Sequence, residues 1–254
     1  MQVSGSAFLI TGGSSGLGGA CAQTLRRGGA TIVIADLQEP GQEVQDDPAF
    51  RFVRTDVTCA QQVAAAVREA VQPDGAGPLR GLINCAGIAV ANKILARGAP
   101  HDLDLFRKTI DVNLIGTFNA IRLAAAAMAT NEPDGDGQRG VIINTASIAA
   151  FEGQMGQAAY AASKGAVASM TLPVARDLAD CGVRVVTIAP GLFQTPMMDA
   201  FPQKVRDGLT RQTVFPKRFG RPDEFAALAL HIVENPMLNG QVIRLDGAVR
   251  MQAR

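Results

Sequence analysis

The chain has 254 residues, 47% of them hydrophobic and 19% charged, with 24 Lys and Arg against 23 Asp and Glu. A net charge of +1 excludes the broad basic field that non-specific nucleic-acid binding needs, and the lack of Trp with only 5% aromatics argues against base-stacking platforms. The length suffices for one large core.

The first candidate strand, Ala7–Ile10, runs into Thr11-Gly12-Gly13-Ser14-Ser15-Gly16-Leu17-Gly18 and then a helical pattern over Leu17–Arg27. Further strands are expected at Thr31–Ala35, Phe52–Arg54, Gly81–Asn84, Val141–Asn144, Arg184–Ile188 and Val242–Leu245. Helices are expected at Ala60–Val71, Leu103–Ala129, Gln157–Ala179 and Pro222–Val233. Most of the strands are continuous apolar runs, as in sheets covered on both faces. Strand and helix alternate along the chain, the order of an α/β protein with a doubly wound, seven-stranded parallel sheet and right-handed crossovers. Gln72–Pro78 and Thr130–Gly140 are polar and Gly-rich, hence loops. No linker or repeat divides residues 1–254, so one domain is expected. The stretch Phe193–Phe219 breaks the alternation with three prolines and exposed-looking apolar residues, and an excursion of that length suggests a lid.

No signal peptide or membrane span is expected, because no apolar run approaches ~20 residues. Four scattered cysteines and two distant histidines offer neither a disulfide framework nor a metal-ligand pattern. The expected compartment is the cytoplasm, with no metal.

The glycines after the first strand are spaced for a tight turn and for backbone approach to a pyrophosphate at a helix N-terminus. Without a following Lys-Ser/Thr pair, a nucleoside-triphosphate loop is disfavoured. The second strand ends at Asp36, eighteen residues past Gly18. An acid there accepts from ribose hydroxyls and repels a 2′-phosphate; Ser14, Ser15 and Leu37 bring no cation, so NAD is expected rather than NADP. An ordinary strand-end turn residue is the simpler alternative. Asn84-Cys85-Ala86-Gly87 ends another strand in small residues that admit a nicotinamide ribose. Tyr160, the only tyrosine, and Lys164 share one helix face, and an adjacent ammonium is expected to lower the phenol pKa. Ser147 ends the strand VIINTAS, where it either bonds a substrate oxygen or serves a turn. Asn113 is polar within an apolar helix, a position where buried Asn often satisfies backbone groups.

The joint order of TGxxxGxG, a strand-end Asp, NCAG, a helical Asn, a strand-end Ser, YxxxK and PG resembles the short-chain dehydrogenase/reductase superfamily. That resemblance implies a Rossmann fold with helices on both faces and a catalytic tetrad of Asn113, Ser147, Tyr160 and Lys164. In it Tyr160 is the general acid/base and Ser147 orients the substrate oxygen. Lys164 holds the nicotinamide ribose and lowers the Tyr160 pKa, and Asn113 anchors a water. The runs RGVIINTASIAAFEGQMGQAAYAASKGAV, TLPVARDLA, TIAPGLFQTPMM and NPMLNGQVIRLDGAVRMQ resemble the type-2 3-hydroxyacyl-CoA dehydrogenase branch, which oxidises 3-hydroxyacyl-CoA with NAD and in some members accepts hydroxysteroids.

By that likeness the cofactor meets Ser15, Leu17, Asp36, Asp56, Val57, Cys85, Tyr160, Lys164, Phe193 and Thr195, with Pro190 and Gly191 at the nicotinamide end. Ser147, Tyr160, Gln157 and Leu192 face a small-molecule substrate, an acyl-CoA or another secondary alcohol or ketone. The lid residues Leu192, Phe193, Met197, Met198 and Phe201 are candidates to cover an acyl chain. A homotetramer is implied, with neither nucleic acid nor membrane as partner. A hydroxysteroid or other alcohol dehydrogenase with the same tetrad, and a catalytically silent nucleotide sensor, are the alternatives.

Overall fold

The computed structural model describes residues 1–71, 77–199 and 203–253; most of the Gln72–Pro78 loop and the lid residue Phe201 lie outside these. In chain order the elements begin with β1 (Ala7–Thr11), α1 (Gly16–Arg27), β2 (Thr31–Asp36), the single turn α2 (Gln42–Gln45), β3 (Phe50–Arg54), α3 (Ala60–Ala70) and β4 (Leu79–Asn84). A two-residue pair follows, β5 (Leu95–Ala96) and β6 (Ala99–Pro100), and then α4 (Leu103–Ile110), α5 (Gly116–Met128), β7 (Gly140–Thr145), α6 (Ala158–Asp177) and β8 (Val183–Pro190). The chain ends with α7 (Pro196–Asp199), α8 (Gln203–Thr210), α9 (Pro222–Glu234) and β9 (Val242–Leu245).

Seven strands form one parallel sheet in the order β3-β2-β1-β4-β7-β8-β9, a Rossmann fold. Alternate strand residues point to opposite faces, and both faces are apolar. Phe8, Ile10, Ile32 and Ile34 join Cys21 and Leu25 of α1 and Phe225 and Ile232 of α9 in one core. Leu9, Val33, Leu82 and Ile142 join Val63 and Ala66 of α3 and Ala120 and Ala124 of α5 in the other. The chain winds outward from β1 to β3 and then crosses back to β4. That reversal opens a crevice at the carboxyl ends of β1 and β4, where ligands of such sheets bind.

Two expected elements differ in detail. The helix expected over Leu103–Ala129 is broken by a π-helical turn, Asp111–Ile115, between α4 and α5. Its start is set by Asp102, whose carboxylate accepts from the N–H groups of Asp104 (2.8 Å) and Leu105 (3.4 Å). The excursion after β8 is not a plain loop but carries α7 and α8. Its root is tied shut: Gln194 N–H donates to Gly220 O and Gly220 N–H to Leu192 O, each at 2.8 Å.

Candidate active site

The loop after β1 is pressed against the loop after β4. Gly12 has φ +66°, and a Cβ there would sit 2.6 Å from Ala86 N; a Cβ on Gly18 would sit 2.2 Å from Gly12 O. These two glycines therefore cannot carry side chains without moving backbone, and they set α1 with its N-terminus at the crevice. Ser15 is the N-cap, yet its hydroxyl makes no capping bond, so the first N–H groups of α1 and that hydroxyl remain available to an anion. Leu17 packs beneath, against the core. Thr195, from the far side of the crevice, has side-chain atoms 3.6 Å from the Cβ position of Gly16.

Asp36 closes the turn as well as ending β2: it accepts from Ser14 N–H and Gln38 N–H, both at 3.1 Å. Each carboxylate oxygen keeps a lone pair for a further donor. Asp56 accepts from the Thr58 N–H (2.9 Å) and hydroxyl (2.7 Å). Val57 is buried, its carbonyl held by Asn119 Nδ2 at 3.1 Å. The glycine-lined approach, the uncapped helix end and the strand-end carboxylate fit a dinucleotide.

A buried polar row crosses the sheet behind the crevice. Thr11, Asn84 and Asn144 stand in register on β1, β4 and β7. The Thr11 hydroxyl donates to Asn84 Oδ1 (3.3 Å) and Asn84 Nδ2 to Asn144 Oδ1 (2.9 Å). Ala86 N–H in turn donates to Thr11 Oγ1 at 3.3 Å, which fixes the Cys85–Gly87 loop. Asn84 therefore supports the crevice wall from inside rather than lining it.

Asn113, Ser147, Tyr160 and Lys164 converge at this edge. Lys164 is buried, and its Nζ donates to Thr145 O at 2.7 Å; a Cβ on Gly87 would lie 3.5 Å from Nζ and 3.1 Å from Asn113 Oδ1. Asn113 sits in the π-helical turn with its side chain fully engaged. Oδ1 accepts from Ile88 N–H (2.8 Å), while Nδ2 donates to Ile88 O (2.9 Å) and to Ser163 Oγ (3.0 Å). Both amide hydrogens are engaged, and the side chain latches the Gly87–Ile88 backbone. Ser147 is the N-cap of a short 3₁₀ turn, its Oγ accepting from Ala149 N–H at 3.1 Å, and it lies close enough to the Tyr160 phenol to favour its ionisation.

The electrostatics depart from the expectation. Burial raises the Tyr160 phenol above its ordinary 10.0, and the nearby Ser147 hydroxyl offsets this only in part. Burial also brings Lys164 down, from 10.5 to about 8, while the neighbouring Cys85 acts in the opposite sense.

Other expected residues fall into two groups. The Gln157 amide oxygen accepts from Gln154 N–H (3.0 Å) and shapes the loop before α6 beside Tyr160. Leu192 is half-buried. Phe193 is not available to cover a substrate: its ring is 6% exposed and meets Phe225 edge-to-face at 6.3 Å, which leaves only its backbone for the cofactor. Pro190 ends β8, and Gly191 N–H donates to Leu245 O at 2.9 Å; a Cβ on Gly191 would lie 2.8 Å from Asp246 Cα. Sequence reasoning missed Thr145, Ser163 and Asn119, which hold Lys164, Asn113 and Val57. The signal for Ser163 and Asn119 was the one that singled out Asn113, a polar residue on an apolar helix face.

A dinucleotide crevice with Ser147, Tyr160 and Lys164 clustered at its inner end defines an oxidoreductase working with a nicotinamide cofactor. The sequence profile of the short chain dehydrogenase family matches residues 6–206, and the chain belongs to that family. Proteins called 3-hydroxyacyl-CoA dehydrogenase type-2 from Homo sapiens and Drosophila melanogaster are 54% and 52% identical to it, over 99% and 96% of this chain and 97% and 96% of theirs. The crystal structure of 3-hydroxyacyl-CoA dehydrogenase type-2 from Mycobacterium avium matches with a TM-score of 0.91 at 42% identity, covering 98% of both chains. Ipsdienol dehydrogenase from Ips pini is 36% identical over 98% of this chain and 99% of its own length. Among the described residues, no helix is long and apolar enough to cross a membrane.

Proposed function

We propose that this chain is an NAD-dependent dehydrogenase that oxidises the 3-hydroxyl of 3-hydroxyacyl-CoA thioesters to a ketone. The observation that carries the reading is the Ser147–Tyr160–Lys164 cluster beside a glycine crevice ending in Asp36, in a chain 54% identical to the human type-2 enzyme. NAD bound in the crevice supplies the hydride acceptor. Gly12, Ser14, Ser15, Gly16 and Gly18 form the loop that receives its pyrophosphate, and Asp36 takes the adenosine ribose hydroxyls and disfavours a 2′-phosphate. The Ser147 hydroxyl donates to the substrate oxygen, and Tyr160, once deprotonated, takes its proton. Lys164 holds the nicotinamide ribose, and Asn113 keeps the Gly87–Ile88 wall in place.

The whole chain acts as one domain, with residues 193–219 as a lid on a closed root. Apolar Met198 on that lid and Leu192 at its root suit an acyl chain. We further propose a homotetramer, supported by the apolar groove of Phe118, Ala125, Val174 and Leu178 between α5 and α6, and a cytoplasmic location, supported by four free cysteines.

Initial rates with 3-hydroxybutyryl-CoA and with a 17β-hydroxysteroid, each with NAD and NADP, test the reading. The CoA ester with NAD is expected to turn over fastest, and Tyr160→Phe to lose about 10²–10⁴ in kcat. Preference for the steroid removes the substrate assignment, and preference for NADP removes the role of Asp36.

A further inference from the structure

Two thiols that the chemistry above leaves unused meet inside the crevice wall. Cys21 lies on the buried face of α1, 1% exposed and one turn past Gly18. Cys85 starts the loop after β4, its N–H donating to Thr11 O at 3.0 Å. The helix comes close here, since a Cβ on Gly18 would sit 3.1 Å from Cys85 Cβ. Both cysteines are free thiols, and Cys85 packs against the core cluster that contains Cys21. The Cys85 sulfur also lies 3.5 Å from Thr145 Oγ1, on the residue whose carbonyl holds the Lys164 ammonium.

We propose that Cys21 and Cys85 form a peroxide-sensitive dithiol that closes to a disulfide and shuts the cofactor crevice. The order of events follows from position. Cys85 is half-buried at the crevice, whereas Cys21 is sealed in the core, so a small hydroperoxide reaches Cys85 first. Proximity to Cys21 lowers the Cys85 thiol, helped by Thr145 and Lys164 against its burial, while the same proximity and burial raise Cys21. The Cys85 thiolate displaces hydroxide from hydrogen peroxide and becomes a sulfenic acid, and the hydroxide takes up the proton the thiol released to give one water. The Cys21 thiol then attacks the sulfenic sulfur, giving up its proton to the departing hydroxyl as a second water. Two thiols and one peroxide thus become one disulfide and two waters. Drawing Cys85 toward α1 displaces the Cys85–Gly87 loop from the position that Thr11, Asn113 and Gly12 hold.

The test uses the full chain, reduced and freed of reductant, then treated with hydrogen peroxide and mapped by mass spectrometry of non-reduced peptides. The expected result is a Cys21–Cys85 peptide pair lighter by two hydrogens, slowed by saturating NAD and reversed by dithiothreitol. NADH binding, read by its fluorescence, is expected to weaken about tenfold or more on linkage, which is at least ~1.4 kcal/mol, and to return on reduction. Cys21→Ala is expected to bind NADH normally when reduced, to form no linked pair, and to pass irreversibly to the sulfinic acid at Cys85. Peroxide-treated wild type with Cys85 unlinked, or linked to Cys59 or Cys181, overturns the dithiol. A Cys21–Cys85 disulfide that leaves NADH binding unchanged overturns the closure.

Discussion

Burial governs the two titrating residues of the site, and in opposite directions. Tyr160 is the only tyrosine and the chain has no Trp, so the near-ultraviolet absorbance of tyrosinate reports this phenol alone. Without cofactor its midpoint is expected above 10.0, and Ser147→Ala is expected to move it higher by removing the hydroxyl that offsets burial. A midpoint below 10.0 would restore the expectation of a lysine-lowered phenol. Lys164 is lowered from 10.5 to about 8. Between those values the unfolded chain binds the extra proton, so this group's contribution to stability rises with pH, by up to about 1.4 kcal/mol per unit. Below about 8 both states are protonated and the burial penalty is present in full. In urea unfolding without cofactor, the wild type is therefore expected to gain on Lys164→Met as pH rises from 8 toward 10.5. A gap independent of pH would mean that Lys164 does not titrate there.

Two adjacent glycines of α1 separate a site requirement from a helix-propensity cost. A methyl on Gly18 meets the Gly12 carbonyl at 2.2 Å, while one on Gly19 finds nothing nearer than 3.6 Å. Gly18→Ala is expected to destabilise by about 1–3 kcal/mol through forced backbone movement and to weaken NAD binding as the loop shifts. Gly19→Ala is expected to be neutral or to stabilise by up to about 1 kcal/mol, because Ala suits a helix interior better than Gly. Denaturation midpoints of the pair distinguish the two effects; equal midpoints would show that the loop absorbs the methyl. The π-helical turn has a comparable local purpose. Widening the helix at Asp111–Ile115 brings Asn113 against Ile88 and Ser163, and such turns commonly occur at functional sites.

For the molecule as a whole, the faces of α5 and α6 remain to be covered. Phe118 is 48% exposed, in the groove that also holds Ala125, Val174 and Leu178. Burying such a surface against a symmetric copy removes apolar area from water on both sides. Light scattering is expected to give four times 26.5 kDa for the wild type and a smaller species for Phe118→Asp, in which a charge would have to be buried. A wild-type monomer would remove the assembly from the reading.

The seven strands of the sheet were readable, most of them from short continuous apolar runs, because strands covered on both faces must be apolar throughout. The glycine loop, Asp36 and the Tyr160–Lys164 pair were equally readable, since turn geometry and helix periodicity act over a few residues. The break in the Leu103–Ala129 helix was not, because the pull on Asn113 comes from Ile88, 25 residues away. The direction of the Phe193 ring, the raised Tyr160 phenol and the meeting of Cys21 with Cys85 were hidden for the same reason. Local pattern determined which groups reach the crevice. Burial and long-range packing, which exist only once the sheet has formed, decided their protonation, their hydrogen bonds and which of them remain free to react.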